Sequence, residues 1–361
     1  MPYESTFYAV SLLPAEEIYV YIPKIKLETN IKKRMINSSY KNLKIREDNI
    51  KLFPLDPITM LNGNSSLNSF FYFDLSKYLN DIFKSDYIVI QEGHTFYSYQ
   101  LFKLSKKLNK KYIVMTENDP MLSVSKLPPY NVISSVVLKN AYKICSATEL
   151  SDRYLLSKGI TSYERCYINA VDINKYKYKE KDFSDFKFLF VGHLNELKGF
   201  DLFIKALNML SQDFDFIAYI VGNGELKYLL KNSKFKYKQF DFLATEDLIK
   251  LYENTNLFIM PSRTIKKYGL ILWTEVFGLA NMEAMATGSA TVVSNCGNLP
   301  YVIQDKDCIF NQGDSEDLLR KIKCLINDSE RMKKDSIINR DFIAKKFDPE
   351  VMKNAWKRIL S

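Results

Sequence analysis

Phe186-Lys-Phe-Leu-Phe-Val-Gly192-His-Leu-Asn-Glu-Leu-Lys198-Gly199 reads as a short buried strand that ends on a glycine and runs into a polar loop. The helix it opens, Phe200 to Leu210, repeats apolar residues at the three- and four-residue spacing of a buried face. Strand, glycine turn and helix recur in Phe216-Ile-Ala-Tyr-Ile-Val-Gly222-Asn-Gly224-Glu225, and Asn256-Leu-Phe-Ile-Met-Pro-Ser262 is a further apolar run that stops at a turn signal. Such alternation predicts an α/β protein with a parallel sheet covered on both faces. Lys198 adds a chemical clue. A lysine at a helix start opposes the helix dipole, which prefers anions, unless an anionic ligand fills the gap between them.

Further on, Glu275-Val-Phe-Gly-Leu-Ala-Asn-Met-Glu283-Ala-Met-Ala-Thr-Gly288 sets two carboxylates eight positions apart around a Phe-Gly turn, just ahead of the apolar strand Ala290 to Ser294. Phe277, Gly278 and Leu279 read as the beginning of a helix whose unsatisfied N–H groups suit a diphosphate. Glu275, on the approach loop, can reach sugar hydroxyls. Glu283, about one turn into the helix, can accept two hydrogen bonds from a ribose diol. The plainer alternative is an ordinary helix, Leu279 to Thr287, with Met282 and Met285 in the core and Glu283 in solvent.

Taken together, residues 186 to 360 resemble the donor-binding half of a GT-B glycosyltransferase of the retaining family-four group. The resemblance rests on the Val-Gly-x5-Lys-Gly loop ending at Gly199, the Val-Gly-Asn-Gly-Glu turn ending at Glu225, Met260-Pro-Ser-Arg263, and the Glu-x7-Glu segment with its Glu-Ala-Met-Ala-x-Gly tail. Asn169-Ala-Val-Asp172 is similar to the family's lead into its interdomain linker. It implies two Rossmann-like domains whose parallel sheets face a cleft. The implied reaction moves a hexose-type sugar from a nucleoside diphosphate donor to a glycan or lipid-linked acceptor. It also implies retention by a front-face mechanism, in which the leaving phosphate accepts the acceptor's proton. Gly192, His193, Lys198, Gly222, Gly224, Arg263, Phe277, Gly278, Leu279 and Glu283 are the donor-binding candidates, with Lys198 and Glu275 placed at the reacting centre. No cofactor is expected. With only two histidines and no Asp-x-Asp pair beside the diphosphate loop, no metal is expected either.

The first half departs from that family. Relatives begin with a strand and a glycine-rich loop, whereas Ser5 to Leu13 reads as a helix leading into the strand Ile18 to Pro23, so the N-terminal domain is expected to lack its first strand. Glu117, in Thr116-Glu-Asn-Asp119, stands where many relatives carry a histidine. His94, in Gln91-Glu-Gly-His94, is the other polar candidate on the acceptor side, although a lone loop histidine is more often structural. His193 replaces a family arginine beside the diphosphate, a charge that Arg263 or Lys266 and Lys267 could restore. Tyr87 to Ile90, Lys111 to Thr116 and Tyr142 to Ala147 read as strands, and Tyr97 to Leu108 and Glu149 to Lys158 as helices. The expected division is an acceptor-side domain over 1–173, a linker over 174–185, a donor domain over 186–345, and a last helix over 346–361 that returns to the first domain.

Composition agrees with a two-domain globular enzyme. The chain has 361 residues, 47% of them hydrophobic, and no apolar run approaching the ~20 residues of a membrane span. Met1-Pro-Tyr-Glu-Ser-Thr lacks the pattern of a secretory leader, and five scattered cysteines without Cys-x-x-Cys spacing read as reduced core thiols, so a cytoplasmic location is expected. The net charge of +9 is uneven: residues 1–180 hold 25 basic and 18 acidic side chains, residues 181–361 hold 26 and 24. The excess is densest over Lys24 to Lys51, where basic and apolar residues interleave in a way that could rest on an anionic membrane surface. A solvated basic face is the other reading of that segment. Nucleic acid gains no support, since no recognised binding module is present. Two rivals from other classes stay open at this point. One is an inactive donor-binding partner subunit, and the other an NAD-type oxidoreductase, against which no Gly-x-Gly-x-x-Gly follows a strand.

Overall fold

The computed structural model describes residues 15, 18–23, 50–55, 57–58, 72–117, 123–167 and 169–361. Among these, the chain forms two compact units. One is built from the described residues up to Tyr167 with Met352–Ser361, the other from Asn169–Val351. The helix expected over Ser5 to Leu13, any strand ahead of Ile18, and the basic stretch from Lys24 to Asn49 lie outside the described residues.

In the first unit, strands β1 (Ile18–Pro23) and β2 (Ile50–Leu55) pair in parallel, and β3 (Pro57–Ile58) pairs antiparallel with β4 (Tyr72–Phe73). Strands β5 (Tyr87–Gln91), β6 (Lys111–Thr116), β7 (Lys143–Ser146) and β8 (Glu164–Arg165) form a four-stranded parallel sheet in chain order. Each crossover contains a helix: Phe96–Lys107, Tyr130–Lys139 and Glu149–Ser157. Two of these begin on a threonine cap, Thr95 accepting from Ser98 N–H and Thr148 from Ser151 N–H, each satisfying an otherwise orphaned donor. Ile90, Val114, Val137, Leu138 and Leu155 close the core beneath them. The last helix, Pro349–Leu360, buries Met352, Ala355, Trp356 and Ile359 at helical spacing. Its end is tied into this unit, where Tyr87 Oη donates to the Leu360 carbonyl (3.1 Å) and Lys143 Nζ to that of Arg358 (2.9 Å).

The second unit carries a six-stranded parallel sheet of β9 (Lys187–Val191), β10 (Ile217–Val221), β11 (Lys236–Phe240), β12 (Leu257–Met260), β15 (Ala290–Ser294) and β16 (Ile309–Phe310). The intervening β13 (Ile265–Lys267) and β14 (Leu270–Trp273) form a separate antiparallel hairpin that the sequence reading did not anticipate. The sheet order is β11-β10-β9-β12-β15-β16. The chain therefore builds outward from β9 in one direction, returns, and builds from β12 in the other. The gap between the carboxyl ends of β9 and β12 is a topological switch point, where open parallel sheets receive ligands. Its foundation is aromatic. Phe190 packs against Phe200 and Phe203 of the helix Phe200–Leu210 at ring-centroid distances of 5.2 and 5.3 Å, and all three are fully buried. Each such ring contributes about 1.5–3 kcal/mol.

Two details differ from the sequence reading. The turn at Gly222 and Gly224 leads into a 3-10 helix, Glu225–Asn232. The stretch 174–185, read as a linker because it lacks apolar periodicity, is fastened onto the second unit. Lys181 Nζ donates to the carbonyls of Tyr252, Glu253 and Thr287 (3.0, 2.9 and 2.9 Å), and burial lowers its pKa to about 7. The cysteines are free, with Cys145, Cys166, Cys296 and Cys308 buried and Cys324 exposed.

Candidate functional site

The loop after β9 is positioned by main chain packed on main chain. Gly199 adopts φ 67°, and a Cβ there would lie 1.9 Å from the Pro261 carbonyl oxygen at the end of β12. A Cβ at Gly222 would lie 1.8 Å from the Gly192 carbonyl oxygen, so these two glycine turns sit together because neither has a side chain in the way. Lys198 leaves this loop with its backbone N–H bonded to Asn195 Oδ1 (3.0 Å).

The Lys198 ammonium meets Glu275, 77 residues away, with Nζ donating to Oε2 at 2.6 Å. Ser262 Oγ, at the end of β12, donates to the same oxygen at 2.9 Å, and Lys198 Nζ stands 5.0 Å from the Trp273 ring centroid. Glu275 is 7% exposed, so its charge depends on these partners. Its backbone is held by its neighbours: the carbonyl accepts from Asn298 N–H (2.9 Å), and the N–H lies 3.4 Å from Cys296 Sγ. Among the described residues Oε1 of Glu275 has no hydrogen bond.

Phe277 is buried against Phe347, and Gly278 caps the helix Leu279–Ala286 in a left-handed conformation. The Gly278 carbonyl accepts from Asn281 and Met282 N–H (2.9 and 3.2 Å), while among the described residues the N–H groups of Leu279 and Ala280 have no main-chain acceptor. Glu283 follows one turn later. Its carboxylate is not free in solvent: Oε1 accepts from Tyr176 Oη (2.8 Å) and Oε2 from Tyr252 Oη (2.9 Å). Burial raises its pKa, while the two phenols act in the opposite direction. Each carboxylate oxygen retains a second lone pair.

The remaining donor candidates have different surroundings. His193 is exposed. Arg263 is engaged by Asp201, in the first turn of the helix Phe200–Leu210, and its backbone N–H donates to the Leu197 carbonyl (3.0 Å). It thereby braces the Lys198 loop; the sequence could not show that Asp201 would meet it. Lys266 and Lys267 lie on the exposed hairpin.

In the first unit, His94 and Glu117 follow the carboxyl ends of the adjacent strands β5 and β6. His94 is buried edge-on to Tyr130, with ring centroids 6.3 Å apart. Beside Glu117 lies Glu92, which the sequence reading passed over and which holds φ 64°, a conformation uncommon outside glycine and asparagine. Burial pushes the Glu117 carboxyl up to about 7, against a lowering hydrogen bond from Gln91. A carboxyl whose folded pKa lies above its unfolded value loses stability as pH rises between the two. Wild type should therefore weaken from about pH 4.5 to about pH 7, and Glu117→Gln should remove that loss, opening a gap of up to about 3 kcal/mol by pH 8. Denaturant melts across that range check this, and identical pH profiles for both proteins would contradict the buried acid.

With this geometry in place, comparison with known proteins is informative. Residues 172–340 match the family described as Glycosyl transferases group 1. Among curated relatives, an uncharacterised glycosyltransferase of Haemophilus influenzae is 29% identical over 184 residues, 48% of each chain. The serotype-specific mannosyltransferase WbdA of Escherichia coli is 27% identical over 237 residues, 61% of this chain and 28% of WbdA. The aligned region thus covers about half or less of these relatives' own lengths. Among solved structures, Anabaena Alr3699/HepE in complex with UDP-glucose superposes with a TM-score of 0.69 at 16% identity, covering 98% of this chain and 95% of that one. A glycosyltransferase from Rickettsia africae gives 0.67 at 16% identity, covering 96% and 98%. The fold is GT-B, and it is over residues 172–340 that the chain is similar to the group 1 glycosyltransferases.

Proposed function

We propose that the protein transfers a sugar from a nucleoside diphosphate sugar to a glycan or lipid-linked acceptor, with retention of configuration and without a metal. The observation that carries this is the Lys198–Glu275–Ser262 cluster at the switch point between β9 and β12. A cation, helix-start amides and a buried carboxylate are the groups that a diphosphate and a sugar require. The sugar nucleotide named for the Anabaena structure and the mannosyltransferase name of WbdA support the donor class.

In the proposed step the bond from the anomeric carbon to the phosphate oxygen breaks as the acceptor oxygen bonds to that carbon. The acceptor's proton passes to the leaving phosphate. Negative charge then grows on the diphosphate, where the amides of Leu279 and Ala280, and Lys198 once the bound donor has drawn it over, meet it. Lys198 must turn part of its hydrogen bonding from Glu275 to the phosphate, so donor binding and the ion pair are linked. Glu275 Oε1 is the acceptor offered to a sugar hydroxyl, and the second lone pairs of Glu283 serve a ribose diol. Neither carboxylate takes a proton, unlike the pair that flanks the scissile bond in glycosidases.

Turnover of a UDP-, GDP- or ADP-sugar by the purified chain, in the presence and absence of EDTA, tests this reading. The expected result is nucleoside diphosphate release that survives chelation, since Lys198 supplies the positive charge a cation would otherwise bring. Loss on chelation with recovery on adding magnesium or manganese would overturn the metal-free step. Donor binding with no turnover would favour the inactive partner subunit.

A further inference from the structure

The hairpin Ile265–Trp273 stands apart from the six-stranded sheet, yet both of its ends are anchored in the site. Ser262 lies three residues before it and Glu275 two residues after it, and these are hydrogen-bonded to each other. Thr264 Oγ1 and Thr274 Oγ1 close its base at 2.9 Å, and Thr264 N–H donates to Gln312 Oε1 at 2.6 Å. The base of the hairpin is therefore fixed beside the Lys198–Glu275 cluster. The hairpin is apolar and open: Tyr268 at its tip is 91% exposed, Leu270 beside the turn 39%, and Leu272, at the bulge nearer the base, 53%. Tyr268 and Gly269 form a two-residue turn with φ 52° and 76°. That turn favours Asn-Gly, so an aromatic at its first position is the conformationally unfavoured choice. From Thr264 to Thr274 the chain has two lysines and no carboxylate, and Lys267 Nζ lies 5.4 Å from the Tyr268 ring centroid.

We propose that this hairpin docks on an anionic lipid surface, with Tyr268, Leu270 and Leu272 in the interface and Lys266 and Lys267 against the headgroup phosphates. Leucines and an aromatic on the hairpin, with lysines whose stems run along it, suit the boundary between acyl chains and headgroups. A protein partner is less well matched. One tyrosine and two leucines offer a few hundred Å², whereas a stable protein interface takes about 800 Å² from each side. The reading rests on the proposed transfer in one respect, that a surface-bound hairpin beside Glu275 would bring the site to a lipid-linked acceptor.

Co-sedimentation of the full chain with equimolar phosphatidylglycerol and phosphatidylcholine vesicles tests the proposal, with phosphatidylcholine alone as control. Wild type is expected to pellet with the anionic vesicles at low salt and to be released near 1 M salt, where the Debye length falls to about 3 Å. Lys266→Ser with Lys267→Ser should lower vesicle affinity by about tenfold or more, since each basic residue at such a surface contributes severalfold. Tyr268→Ser with Leu272→Ser should do the same while leaving unchanged the rise in Tm induced by whichever of UDP, GDP or ADP binds wild type. Wild type remaining in the supernatant, or either double variant pelleting like wild type, overturns the proposal. A wild-type dimer that Tyr268→Ser with Leu272→Ser dissociates, read by sedimentation equilibrium, also overturns it, because the face would then be a contact between copies. Absence of a Tm rise in wild type with all three of UDP, GDP and ADP would count against the donor reading alone.

Discussion

Lys198→Ala is expected to lower kcat/KM for the sugar nucleotide by about 100- to 1000-fold, roughly 3–4 kcal/mol of transition-state stabilisation. Steady-state kinetics with a melting curve check this. The lost ammonium is the group aimed at the charge that develops on the leaving diphosphate, so kcat should fall as well as affinity. Glu275→Ala is expected to behave differently. The sequence alone suggests that it would simply spare the free diphosphate. The 2.6 Å ion pair sharpens that expectation, because removing the carboxylate releases Lys198 for the phosphate. Affinity for the free nucleoside diphosphate should hold or rise while turnover of the intact donor falls. Parallel losses for both ligands in Glu275→Ala would contradict its assignment to the sugar.

The second large effect is on stability. Gly199→Ala places a methyl group 1.9 Å from the Pro261 carbonyl oxygen at φ 67°, a conformation that costs an L-residue about 1–2 kcal/mol before any clash is counted. Backbone cannot move aside as a flexible side chain can. The β9 loop must therefore separate from the end of β12, with a loss of about 3 kcal/mol or more and a Tm lower by roughly 10 °C. A variant melting within a degree or so of wild type would mean that the loop tolerates displacement, and the placement of Lys198 would then need another cause.

Much of this was legible because it is local. A run such as Phe188-Leu-Phe190 ending on glycine, and a helix with apolar residues at helical spacing after Lys198, announce strand, turn and helix by short-range rules. Strands Ile18–Pro23 and Lys111–Thr116 begin and end where the residues indicate. What could not be read is pairing across long sequence distances. Nothing near Glu283 indicates that Tyr176 and Tyr252, 107 and 31 residues away, donate to its two oxygens. Nothing near Arg263 names Asp201 as its partner. The hairpin escaped for a different reason. Lys-Tyr-Gly-Leu carries only one of the two residues that mark such a turn, and Leu270-Ile-Leu-Trp273 is apolar without alternation. Glu117 could be named as a candidate but its burial could not, because burial leaves no mark on a single carboxylate's sequence; its raised pKa follows from the packing after β6.

Calorimetric titration of UDP, GDP and ADP into wild type, Lys198→Ala and Glu283→Ala tests the central claim most directly. The account predicts that one nucleoside diphosphate binds wild type, and that each substitution weakens it by about 1.5–3 kcal/mol, roughly ten- to a hundredfold, in proteins that remain folded. A wild type that binds none of the three, or variants that bind with unchanged affinity, would contradict it.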